Sequence, residues 1–173
     1  GAHMCDIAQW GMGTDHTGPI EIEGRGDFPT DGLYDTATNW RFECKYAEGF
    51  TMIVADKKYL PVAPGKDIGV KFIGSKGWVQ VSRGRLWTEP ESLARSVIGP
   101  EEIHLYESNN HIGNFIDCIR TRRPTVTPVE TGHRSISIAH LGNIAMRLEQ
   151  KLQWEPARER FRNSAEADRL LSR

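Results

Sequence analysis

Trp40-Arg41-Phe42-Glu43-Cys44-Lys45-Tyr46, followed by Ala47-Glu48-Gly49 and then by Phe50, Met52 and Val54, is the stretch that decides the class of fold. Trp40, Phe42, Cys44 and Tyr46 alternate with Asn39, Arg41, Glu43 and Lys45. Successive side chains of a strand point to opposite faces, so this pattern predicts a half-buried strand with one apolar and one polar face. Ala47-Glu48-Gly49 turns the chain, and Phe50, Met52 and Val54 return as its hairpin partner.

The same signal extends to both sides. Upstream, Ile20 and Ile22 alternate with Glu21 and Glu23; downstream, Ile68, Val70 and Phe72 form a further strand. Gly74-Ser75-Lys76-Gly77 then turns into Trp78-Val79-Gln80-Val81. The prediction is an antiparallel meander of about five strands, with residues 59–66 as its longest irregular connection.

Beyond residue 110 the period changes. Ile112, Phe115, Ile116 and Ile119 recur at helical spacing, and Pro124 ends that helix. Thr127-Pro128-Val129-Glu130 reads as a capping box opening a long helix. Ile138, Leu141, Ala145, Leu148 and Leu152 form one stripe of it and Ile136, His140 and Ile144 a second, so burial on two sides is expected. Asn163-Ser164-Ala165-Glu166 caps a short last helix. Strands followed by segregated helices predict an α+β fold, an open, mainly antiparallel sheet with helices on one face. The other face is left for a partner; with five tryptophans supplying apolar area, Trp40 and Trp78 in strands, homo-oligomerisation through it is the economical expectation.

Composition narrows the function. A chain of 173 residues suffices for one domain. Its 22 basic and 23 acidic residues give a net charge of −1, so no overall field favours nucleic acid or an anionic membrane. The clusters Arg120, Arg122, Arg123 and Arg158, Arg160, Arg162 read as solvated surface. Cys5, Cys44 and Cys118 have no metal-ligand spacing and read as buried free thiols, which suits a reducing, cytoplasmic setting. No segment is apolar enough to span a bilayer, and no signal peptide is legible.

Few residues are arranged for chemistry. His3-x-x-Asp6 sets an imidazole and a carboxylate on one face of a helical turn, where one can pass a proton and the other orient a hydroxyl. Gly132-His133-Arg134-Ser135 lies in the first turns of the long helix, where free backbone N–H groups favour polar oxygens. His140 reads as a core histidine near Gly142, and His16, His104 and His111 lack ligand spacing, so no metal is expected. Gly11-x-Gly13 lacks the rest of a dinucleotide fingerprint, and neither a P-loop nor a nucleophile elbow occurs. Gly1-Ala2-His3-Met4 also matches the remnant of a cleaved affinity tag, so residues 1–4 read equally as such a remnant or as the native opening of the first helix.

Several segments together carry a resemblance: residues 1–10, Gly69-Val70-Lys71-Phe72-Ile73-Gly74-Ser75-Lys76-Gly77-Trp78, Ile103-His104-Leu105-Tyr106-Glu107-Ser108, Asn114-Phe115-Ile116-Asp117-Cys118-Ile119 and Pro128-Val129-Glu130-Thr131-Gly132-His133-Arg134-Ser135. The chain resembles the C-terminal domain of the Gfo/Idh/MocA oxidoreductases. That resemblance implies an N-terminal Rossmann domain holding NAD or NADP outside this chain, and a C-terminal domain over residues 5–173 that shapes a sugar or polyol site and mediates oligomers. It makes His3 similar to the family's catalytic acid/base, Asp6 to a substrate-pocket residue, and Trp10 to the apolar residue closing that helix. His133 and Arg134 are further candidates to face the substrate. The family's acidic residue four positions before the histidine falls ahead of Gly1, and its catalytic lysine belongs to the Rossmann half. The chain alone is therefore expected to hold no cofactor and to be inactive. Two alternatives stand beside this: a domain of an NAD-dependent glycoside hydrolase of the same superfamily, and a non-enzymatic docking module.

Overall fold

The computed structural model describes residues 1–60 and 68–172; most of the connection 59–66 lies outside the described residues. Helix α1 (Ala2–Met12) opens the chain, followed by strands β1 (Glu21–Gly26), β2 (Trp40–Lys45), β3 (Thr51–Ala55), β4 (Val70–Gly74), β5 (Gly77–Ser82) and β6 (Arg85–Glu89). A 3₁₀ turn (Glu91–Arg95), helices α2 (His111–Thr121) and α3 (Val129–Leu148), strands β7 (Leu152–Glu155) and β8 (Arg160–Phe161), and α4 (Ala165–Arg169) complete it.

The α+β class is as expected, and every strand pair is antiparallel. The strands do not make one meander, however. They divide into a five-stranded sheet ordered β3-β2-β1-β7-β8 and a three-stranded sheet β4-β5-β6. The place beside β1 goes to β7, whose Leu152 pairs with Ile22 while the Trp154 N–H donates to the Ile20 carbonyl at 2.9 Å. Leu152 is therefore a strand residue and not the end of the α3 stripe. The helix stops at Leu148 because Glu149 takes a left-handed conformation, φ 50°. Beyond it Leu152 and Trp154 alternate into the core with exposed Gln153 between them.

Helix α3 lies on β1 and β2, and α1 packs against a second side of α3, so the expected two-sided burial is present. Ile138, Leu141 and Ala145 are buried as the first stripe predicts. Of the second stripe Ile144 is buried, but Ile136 and His140 are exposed; toward α1 their places go to Ser135 and Ala139, each one residue earlier. One residue turns a helix by about 100°, enough to swing Ile136 and His140 outward. The capping box fails for a related reason. Pro128 is the N-cap, one position later than predicted, so Glu130 falls short of the third helical position and its carboxylate accepts from Arg134 Nε at 2.7 Å. Ser164, by contrast, caps α4 as read, accepting from the Ala167 N–H.

The core joins these layers: Cys5 and Ala8 from α1, Ile22, Phe42, Cys44 and Met52 from the sheet, Ile138 to Met146 from α3, and Trp154 against Phe161. Trp40 stacks on Phe42 against this core, and Trp78 lies under Lys71, Nζ 3.9 Å from the ring centroid. Neither dresses the open face of the five-stranded sheet. The strand register places Glu21, Glu23, Arg25, Arg41, Glu43 and Lys45 there instead.

Candidate active site at the ridge of helix α1

Helix α1 is positioned by the residues it buries. Cys5, Ala8 and Gln9 face the core, so His3 and Asp6, three apart, are carried on the outer side of the same turns. The helix ends at Gly13 in a left-handed conformation (φ 69°). A buried clamp then fixes the chain beyond it. The Thr14 hydroxyl donates to Gln9 Oε1 at 2.7 Å, and Gln9 Nε2 donates to the Thr14 and Thr17 carbonyls at 3.0 and 3.2 Å. Both residues are almost fully buried, and every polar atom of the pair serves the loop. That loop carries Asp15, whose carboxyl is held above the usual range by burial first and by the Asp6 charge second, with His16 opposing.

Asp6 in turn is tied to α3. The Ser135 hydroxyl donates to Asp6 Oδ1 at 2.8 Å, a bond between residues 129 apart in sequence. Two clefts open on either side of this ridge, and His3 and Asp6 line both. The first, about 560 Å³, is walled by Trp10, Phe72, Val81, Arg83 and Leu105. The second, about 500 Å³, is walled by Thr127, Pro128, Gly132, His133 and Ser135. An imidazole and a carboxylate at the shared rim of two open clefts can pass a proton to a ligand hydroxyl and orient it.

The adjacent candidates His133 and Arg134 part company. His133 lines the second cleft, with Nε2 2.7 Å from Glu159 Oε1. Arg134 lies on neither cleft wall. Its guanidinium binds Glu130, the Pro156 carbonyl at 2.9 Å and Glu159 at 3.2 Å, a brace between α3 and the turn after β7. Gln9, Thr14, Asp15 and Ser135 were not legible as site residues. Their roles depend on contacts between α1, its loop and α3, and no local spacing announces such contacts.

Among the described residues no three His, Cys, Asp or Glu side chains converge as a metal site requires, and no helix is long and apolar enough to cross a membrane. Nor does any described strand run through a glycine-rich turn into a helix N-terminus, the cradle a dinucleotide pyrophosphate needs.

Among curated proteins no sequence matches this chain. The family model described as the oxidoreductase family, C-terminal alpha/beta domain, matches residues 1–173. With a match over that whole span, on an α+β frame bearing the His3–Asp6 ridge, the chain belongs to the Gfo/Idh/MocA oxidoreductase family as its C-terminal domain.

Proposed function

We propose that this domain forms the substrate side of an NAD(P)-dependent oxidoreductase acting on a sugar or polyol. The single observation that carries the reading is the ridge itself: His3 and Asp6 share one outer turn of α1 and line both clefts. The clefts combine the Trp10 and Phe72 rings with polar and charged groups, the mixture that holds the faces and hydroxyls of a carbohydrate. A nicotinamide held by the enzyme's nucleotide-binding half supplies hydride transfer when bound. This chain's residues do the rest. The His3 imidazole takes the proton of the reacting hydroxyl and returns it in the reverse direction, while Asp6 accepts a hydrogen bond from a substrate hydroxyl. By this reading the isolated domain is inactive, and copies associate through the open face of the five-stranded sheet.

The test is a panel of sugars and polyols with NAD and NADP on the intact oxidoreductase, followed by nicotinamide absorbance. Turnover that falls about a hundred-fold or more in His3→Asn, with a raised KM in Asp6→Asn, supports the assignment. Undiminished turnover in His3→Asn removes His3 from the chemistry. Sugar release without net nicotinamide change would replace the oxidoreductase with a hydrolase.

A further inference from the structure

We infer that Ser135 is a positioning residue for Asp6, holding one carboxylate oxygen and leaving the other for a substrate hydroxyl. The inference rests on the role proposed above for Asp6. A serine inside a helix ordinarily turns its hydroxyl back to the carbonyl four residues earlier. Ser137 does so, donating to the His133 carbonyl at 2.7 Å. Ser135, two residues away on the same helix, does not; its hydroxyl crosses to α1 and donates to Asp6 Oδ1 at 2.8 Å. It is 4% exposed, so the hydroxyl depends on this partner, and the bond is strengthened by the carboxylate charge.

The consequence is geometric. With Oδ1 engaged, the Asp6 side chain is fixed against α3, between the two clefts it lines. Among the described residues no hydrogen-bond donor engages Oδ2. Among the described residues the charged and titratable groups around it include His3 and Cys5 on its own helix, Asp15 on the following loop, Arg83 across the first cleft and His133 across the second. A carboxylate with one oxygen pinned and one open is arranged to receive a hydroxyl in a single orientation.

The test begins with this chain itself, by a double-mutant cycle in urea unfolding that pairs Asp6→Ala with Ser135→Ala and, as control, with Ser137→Ala. Alanine is the strongest helix former, so both variants keep α3. A direct hydrogen bond makes the losses from the two partners non-additive, so Asp6→Ala couples to Ser135→Ala and not to Ser137→Ala. Additive losses, or an equal coupling to Ser137→Ala, overturn the inference. In the intact enzyme, Ser135→Ala is expected to raise KM about ten-fold with kcat within about two-fold, the size of one charge-assisted hydrogen bond. A lowered kcat at unchanged KM overturns it. Failure of the wild-type enzyme to turn over any sugar or polyol would sink the oxidoreductase reading instead, and the double-mutant cycle keeps the two failures apart.

Discussion

Single residues separate what spacing can announce from what only contact creates. The pairing of His3 with Asp6 was legible because i, i+3 on a helix is a local relation, and both residues line the same two clefts. The tie of Ser135 to Asp6 was not, because that bond exists only where α3 meets α1. The cysteines follow the same division: scarcity and apolar neighbours marked them as free buried thiols, and all three are. Burial pushes the Cys5 thiol up to about 11 and the Cys44 thiol higher still. At pH 8 only about one Cys5 in a thousand is then thiolate, against roughly a quarter for an ordinary exposed thiol. Ellman's reagent is therefore expected to react slowly with native protein and to find three thiols once guanidinium unfolds it; prompt native labelling of Cys5 would contradict the packing of α1. Asp15 gives the complementary pH prediction. Its carboxyl is raised on folding, so the folded state binds more protons there, and stability falls as pH rises from the unfolded to the folded value. Asp15→Asn should raise Tm at pH 7 and leave it nearly unchanged below pH 3, as followed by thermal melts at both.

At the scale of elements, the alternating stretches were readable as strands and the helical periods as helices, but not which face of each would find a neighbour. Helix α3 shows why. Its contact with the sheet is set by Gly142, where a Cβ would come within 2.5 Å of the Phe42 ring. A pattern of apolar residues does not reveal that a glycine marks the closest approach. Gly142→Ala improves helix propensity by about 1 kcal/mol, yet it forces Phe42 out of a packed core. The net expectation is a loss of about 1–3 kcal/mol in urea unfolding, and a stabilised variant would show the approach is looser. Helix α2 shows the opposite case. Its stripe of Ile112, Phe115, Ile116 and Ile119 is exposed at 70%, 58%, 42% and 49%, and Cys118 alone of its residues is buried. Asn114 ties it down from the other side, donating to Tyr106 Oη and accepting from the Val126 N–H. The period predicted the helix correctly, but its apolar face points away from the body. Phe115→Asp, ruinous in an ordinary amphipathic helix, is expected to change stability here by less than about 1 kcal/mol. A loss of several kcal/mol in the same unfolding assay would mean that the stripe packs within the domain.

Across the whole molecule, the open sheet face was legible as uncovered, but its chemistry was not. Tryptophans suggested an apolar surface, whereas the face carries mainly charges, with exposed Ile53 opposite Glu43 among them, at alternate positions read only as the polar side of each strand. Lys45 lies 2.7 Å from Glu21, and Lys151 reaches Glu21 at 3.3 Å and Glu23 at 3.2 Å. Glu23 stands opposite Glu43, which Arg41 engages. The hydrogen bond from Lys45 holds the Glu21 carboxyl below its usual range, so its contribution is present above the unfolded value and lost as pH falls through the folded one. Self-association through such a face, as proposed above, would be mainly ionic. Charges exposed on it are screened within about 3 Å at 1 M salt, against about 10 Å at 0.1 M. Light scattering after size exclusion should then show a multiple of the chain mass at about 0.05 M salt and the single chain at about 1 M, with the same dissociation on acidification as Glu21 protonates. Substituting Lys45 and Lys151 by glutamate should produce the single chain even at low salt, because it sets like charges beside Glu21 and Glu23. A multimer that survives both high salt and the double substitution would place the contact elsewhere on the molecule.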